Sequence, residues 1–410
     1  MGQQKSRRAL KGGMASLLLL LCFAIALPDC RRTAPSGAQA GQAAAAQTPA
    51  AAPRQADPAL DRLFYQIAGL PEPAGQPREA EAAWTAFSGS ISQEWGNFDK
   101  TVLEPMKAWA DVELHEARKA SVSLFYPFGG PDFATAYALF PETREMVLLG
   151  LEQVGNLPDL DGSPAAWREA FYADMSGLIT EFLKRGYFIT KDMTDIYGRG
   201  KVDGALSAIA FFMAREGCSV IAVTRLAPDG KGGWTETPYK RLATRPRRPY
   251  GARIVYLKPG DPEPRSVVYF SCDIENKAFP QDSPLYRYFA GLERTATFVK
   301  SGSYLLQYGD FSTLRDLILD RSLFVLQDDT AVPYKYFKNG GWAIKLFGQY
   351  AAPIKDFSNV EQPDLRQAYE ADGSAVAPLP FKFGYHWRTQ IDNLLLAERP
   401  SHPFKAPVPR

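Results

Sequence analysis

Between residues 60 and 118 the large apolar side chains recur at helical spacing, and from Ser121 onward that spacing gives way to short β-branched and aromatic runs. This change of period constrains the fold more than any other feature. Leu60, Leu63, Phe64 and Ile67 share one helix face before the break at Gly69-Leu70-Pro71. Trp84, Phe87, Ile91, Trp95 and Phe98 follow at steps of three to four, with a kink expected at Pro105 because proline has no N–H to donate to the preceding turn. The run 121–128 and the apolar stretch 146–154 then read as a buried strand pair joined by a short helix over 132–140, with Asp132 capping that helix.

Further on, 164–185 and 202–216 read as helices. Ser219–Leu226, Arg253–Leu257 and Ser266–Phe270 read as an antiparallel meander separated by Gly/Pro loops at 227–233 and 258–264. The last third gives helices at 283–292 and 311–320, then strands near 323–326, 334–337 and 342–350. Asn339-Gly340-Gly341 is read as the hairpin turn between the last two. The expected class is therefore α+β, a helical N-terminal part packed on mixed or antiparallel strands from the centre and C-terminus, in one module over residues 58–400.

The N-terminus carries an address. Lys5, Arg7, Arg8 and Lys11 precede the uncharged 14-residue run Met14–Leu27, which is short of the roughly 20 residues a membrane-spanning helix needs. Residues 1–32 are read as a signal peptide region, by a general or a twin-arginine route. Ala24-Ile25-Ala26 and Ala38-Gln39-Ala40 both fit the small-x-small cleavage pattern. Residues 33–57, rich in Ala, Gln and Pro, cannot bury enough apolar surface to offset their ordering entropy and read as a flexible tether; 401–410 is a Pro-rich tail. The expected location is the periplasm or the cell surface, with no membrane span in the mature chain.

Charge argues against one partner class. The whole chain has 47 Lys+Arg and 45 Asp+Glu, but residues 1–32 hold six of the basic residues and one acidic residue, which leaves 41 against 44. A remainder near −3 gives no support to a nucleic-acid surface. The one basic cluster, Lys240, Arg241, Arg245, Arg247, Arg248 and Arg253, lies in a Pro-rich stretch with Tyr239 and Tyr250. It suits either an anionic polymer or lipid headgroup, or local carboxylates.

The chemistry-bearing residues are sparse. The three histidines are His115, His386 and His402, and HExxH and CxxC patterns do not occur, so neither metal nor cofactor is expected. Cys218 and Cys272 are open to two readings, a disulfide or two buried thiols. Thr297-Phe-Val-Lys300 matches a nucleophile-x-x-Lys pattern over only four residues. If the protein is an enzyme, carboxylates must carry the acid–base work, and Asp132, Asp328 and Asp329 are the candidates. Adjacent carboxylates in a strand face opposite sides, and a turn that gives their oxygens backbone N–H donors explains Asp328 and Asp329 equally well. For binding, the aromatic candidates are Tyr126, Trp342 and Trp387: with their segments 125–133, 334–350 and 385–387 they either line one concave surface or simply fill the core.

Five strings resemble those of a family of exported bacterial proteins with no established reaction. They are Leu124-Phe-Tyr-Pro-Phe-Gly-Gly-Pro-Asp-Phe133, Lys300-Ser-Gly-Ser-Tyr-Leu-Leu306, Phe311-Ser-Thr-Leu-Arg-Asp316, Leu326-Gln-Asp-Asp-Thr-Ala-Val-Pro-Tyr-Lys-Tyr-Phe337 and Leu379-Pro-Phe-Lys-Phe-Gly-Tyr-His-Trp-Arg388. The resemblance spans most of 60–396 and implies one continuous module without assigning a catalytic role. Two functional classes follow from the residues. The leading one is an envelope protein that binds a glycan, peptide or protein partner without catalysis; the alternative is a hydrolase of an envelope polymer.

Overall fold

The computed structural model describes residues 55–71, 81–373, 376–389 and 391–400. The signal region, the tether as far as residue 54 and the tail lie outside these.

The described chain opens on a fixed point. Asp57 caps helix α1 (Pro58–Ile67) by accepting from the Ala59 and Leu60 N–H groups, and its own N–H donates to the Val220 carbonyl at 2.7 Å. Helix α2 (Ala82–Phe98) continues into a π-helical stretch, Asp99–Leu103, and then α3 (Glu104–Glu113), with Pro105 in the first turn of α3. The kink expected at Pro105 thus takes the form of a wider turn just before it, where the missing proline donor interrupts the ladder. A short α4 (His115–Ala120) leads to the sheet.

Among the described residues ten strands form one mixed sheet. In chain order they are β1 (Ser123–Tyr126), β2 (Glu145–Gly150), β3 (Ser219–Pro228), β4 (Trp234–Pro238), β5 (Tyr250–Leu257), β6 (Arg265–Ser271), β7 (Thr295–Val299), β8 (Ser322–Gln327), β9 (Ala343–Gly348) and β10 (Asn393–Glu398). The spatial order is β4-β3-β5-β6-β2-β1-β7-β8-β10-β9. The five central strands, β6 to β8, are mutually parallel, and both flanks are antiparallel.

Side-chain alternation divides the core between the two faces. Leu124, Tyr126, Met146 and Leu148 pack with α2, α3, α5 (Phe133–Leu139), α6 (Ala165–Arg185) and α8 (Ala205–Arg215). Phe125, Val147 and Leu149 point the other way, toward α9 (Pro284–Ala290), α10 (Ser312–Arg321) and α12 (Pro363–Asp372). Central strands covered on both faces read as continuous apolar runs, which is why β1 and β2 show no alternation in sequence.

The β1–α5–β2 unit and the β3–β5–β6 meander stand as expected, and β4 extends the meander by a strand that the sequence pattern did not mark. One expected element is overturned. Residues 334–337 are not a strand and Asn339-Gly340-Gly341 is not a hairpin turn. Helix α11 (Tyr334–Asn339) follows Pro333, and the glycines end it, with Gly341 at φ +68°. The Gly341 N–H donates to the Lys338 carbonyl and the Trp342 N–H to the Phe337 carbonyl, a Schellman closure that uses the same Asn-Gly signal as a turn. Helix α7 (Thr190–Arg199), α12 and strand β10 have no counterpart in the sequence reading. Cys218 and Cys272 are both free and buried, and burial raises both thiols well above their ordinary range.

Candidate functional site at the sheet switch point

Strand β1 sits at the middle of the parallel set. From it one connection runs outward through α5 to β2, while on the other side β7 connects through α10 to β8. The carboxyl ends of β1 and β7 therefore diverge into loops on opposite sides, the arrangement that leaves a crevice at a switch point in open parallel sheets. Tyr126, Lys300 and Asp328 stand at the ends of β1, β7 and β8, and four of the five strings quoted above, distant in sequence, bring residues here.

The first group joins β1 to β7. Asp132 caps α5 by accepting from the Thr135 N–H at 3.0 Å, while its other oxygen accepts from the Lys300 ammonium at 2.7 Å and from the Tyr126 hydroxyl at 3.1 Å. Lys300 also donates to Thr135 Oγ1 and to the Gly186 carbonyl at the end of α6. All three ammonium protons thus have acceptors. Burial first, and then Asp132, push the Tyr126 hydroxyl far above its ordinary range, so it stays a neutral donor.

The second group follows β8. Asp328 accepts from the Thr330 N–H and hydroxyl on one oxygen and from the Ser301 N–H, at 2.8 Å, on the other. Asp329 accepts from the Tyr304 hydroxyl at 2.6 Å and from Asn393 Nδ2 at 2.9 Å. Burial, and then the neighbouring Asp329 carboxylate, push Asp328 up to about 7; burial also raises Asp329, against the pull of Tyr304, Asn393 and His386.

The loop after β7 is strained. Ser301, Ser303 and Tyr304 have φ of +54°, +53° and +58°, a region L-residues seldom occupy and one that clusters at functional sites. Against this loop lies the segment 384–387. Gly384 approaches Asp328 so closely that a Cβ there would sit 2.9 Å from Oδ2. Tyr385 donates its hydroxyl to the Ser301 carbonyl and pairs with Ser303 Oγ, both at 2.9 Å. Its ring meets those of Tyr187 and Phe357 at 5.1 and 5.5 Å. Ser301 Oγ and His386 Nε2 are buried and have no hydrogen-bond partner among the described residues.

The candidate residues therefore separate by environment. Asp132, Asp328 and Asp329 are 1%, 3% and 4% exposed and hold internal bonds. The turn reading holds for one oxygen of Asp328, which takes the Thr330 donors; its other oxygen takes the Ser301 N–H of the β7 loop, and both oxygens of Asp329 take side-chain donors, Tyr304 and Asn393. Tyr126 and Trp342 do not share a concave surface: Tyr126 packs on Phe298 in one core, whereas Trp342 packs on Phe337 in the other, beneath the Arg399 guanidinium. The alternation of Tyr126 with Phe125 puts them on opposite faces of the sheet. Trp387 is half-buried, with Arg388 over its ring. Thr297 and Lys300 are not partners, since Thr297 Oγ1 bonds Ser322 Oγ and Lys300 bonds Asp132.

No known family profile matches the chain, and no curated protein is found to be similar to it.

Sequence reasoning put 385–387 among the lining segments but missed Ser301 and Ser303, which meet Tyr385. Their shared signal was present in two of the strings, Lys300-Ser-Gly-Ser and Phe383-Gly-Tyr-His-Trp387, where small and polar residues replace core aliphatics. Only the sheet order shows that the two meet.

Proposed function

We propose that this is an exported envelope protein that binds a glycan or peptide ligand at the rim of the switch point. Ser301, Ser303, Tyr385, His386 and Trp387 would form the contact surface. The reading rests on one observation above all: at this rim a serine hydroxyl and an imidazole nitrogen are buried without partners among the described residues, beside a strained loop and half-buried rings. A buried polar group left unpaired costs about 1–3 kcal/mol, and a ligand that pairs with it recovers that cost. Hydroxyl and aromatic groups together suit a neutral, hydroxyl- or amide-rich ligand.

Binding is favoured over hydrolysis because the three carboxylates are committed to internal donors. The hydrolytic reading keeps one support, since Asp328 near 7 is poised to exchange a proton at neutral pH. Titration calorimetry with cell-wall glycan and peptide fragments tests the proposal. Saturable binding should weaken at least tenfold in Trp387→Ala and Ser301→Ala, with no fragment turned over. Turnover abolished by Asp328→Asn would establish the hydrolytic reading instead.

A further inference from the structure

The basic cluster noted in the sequence does not pair with carboxylates as a whole. Arg253 does, with Glu145 and Glu236. Arg241 and Arg245 instead donate to the backbone carbonyls of Leu157 and Tyr197, at 2.7 and 3.3 Å. Both line a cavity of about 320 Å³ together with Lys201, Asp203, Trp167 and Tyr197. Lys201 has no side-chain hydrogen bond or ion pair among the described residues. An adjoining recess of about 110 Å³ shares Asn156, Asp203 and Arg245 with that cavity and adds Arg225.

Arg225 is the unusual member. It is only 7% exposed, yet its donors reach neutral acceptors alone: the carbonyls of Gly155 and Lys240 at 2.8 and 3.4 Å, and Asn156 Oδ1 at 2.8 Å. Its guanidinium also lies 4.7 Å from the Tyr239 ring centroid. Buried charges are ordinarily paired with an opposite charge, because hydrogen bonds to neutral groups do not cancel the field of the ion. The one carboxylate that lines the cleft among the described residues, Asp203, is held by Asn156 N, Asn156 Nδ2 and Gln153 Nε2, not by a cation. The cleft thus gathers Lys201, Arg225, Arg241 and Arg245 against a single negative charge.

We infer that this cleft binds a phosphate monoester carried on a small ring, such as a sugar phosphate. Guanidinium forks match phosphate oxygens, and the excess of positive charge suits a dianion better than a single carboxylate. Two of the arginines are already positioned by backbone carbonyls, which lowers the ordering cost of binding. The half-buried Trp167 supplies apolar surface for the ring. The site is separate from the switch-point rim and does not depend on the function proposed there.

Calorimetry on the purified protein at low and moderate salt tests it, with glucose 6-phosphate, inorganic phosphate, glucuronate and glucose as probes. Glucose 6-phosphate should bind saturably and tightest, phosphate more weakly, and glucose not at all. Arg241→Ala and Arg245→Ala should each weaken glucose 6-phosphate at least tenfold with an unchanged melting midpoint. Arg247→Ala, an exposed arginine of the same loop that does not line the cavity, should change it less than threefold. Equal losses in all three variants would show diffuse loop charge and overturn the proposal. So would glucuronate binding as tightly as glucose 6-phosphate, or the absence of saturable binding by both phosphate probes.

Discussion

Replacing Lys300 with Met isolates the role of the ion pair that ties β1 to β7. Lys300 and Asp132 are 3% and 1% exposed, so solvent does not screen their contact. With the ammonium gone, Asp132 keeps two donors, the Tyr126 hydroxyl and the Thr135 N–H, but loses its counter-charge, and the Gly186 carbonyl at the end of α6 loses the donor that Lys300 supplies. Breaking a buried pair from one side costs about 3–5 kcal/mol, because the remaining charge is stranded. The double change Lys300→Met with Asp132→Asn removes both charges while an asparagine can still cap α5, so it should lose less, about 1–3 kcal/mol. Urea unfolding measures both through the midpoint at unchanged slope. A single variant within about 1 kcal/mol of the parent protein would refute the reasoning, as would a double variant no more stable than the single one.

Asp328 should make stability depend on pH. Its folded value near 7 lies above the roughly 3.9 of an unfolded aspartate, so between these values the folded state holds more protons and stability falls as pH rises; Asp328→Asn should flatten that slope in urea melts from pH 4 to 7. Gly155→Ala should destabilise by about 1–3 kcal/mol or more on thermal unfolding, since Gly155 has φ +75° and an added Cβ would lie 2.1 Å from the Asp203 carbonyl oxygen. Cys218 and Cys272 should resist a thiol reagent in the native protein at neutral pH and both react in denaturant, because burial keeps them protonated; rapid native labelling would contradict this.

The parts of the fold legible in the sequence were those set by local pattern. Apolar spacing gave α1 and α2, the Asp132 cap gave α5, and β-branched runs separated by Gly/Pro loops gave β3, β5 and β6. The error at 334–341 arose because Asn-Gly-Gly serves a helix end and a hairpin equally, and the aromatic run before it is short enough for either. Strand β10, inserted between β8 and β9, could not be placed because non-local pairing leaves no trace in spacing. The site was legible only in fragments. Asp132, Asp328 and Asp329 stood out in the sequence as the candidate carboxylates, but whether a carboxylate faces a ligand or its own turn depends on donors such as Lys300, Ser301 and Asn393 that arrive from other strands. Tyr126 and Trp342 looked alike by composition, and the alternation of the sheet separates them.

The most direct test of the ligand-binding account is the affinity of one cell-wall glycan or peptide fragment for the purified protein and for Ser301→Ala, Trp387→Ala and Trp342→Ala, measured by calorimetry. The account predicts saturable binding that falls at least tenfold in the first two variants and is unchanged in the third. Binding that survives both rim changes but is lost with Trp342→Ala, or no saturable binding by any fragment, would contradict it.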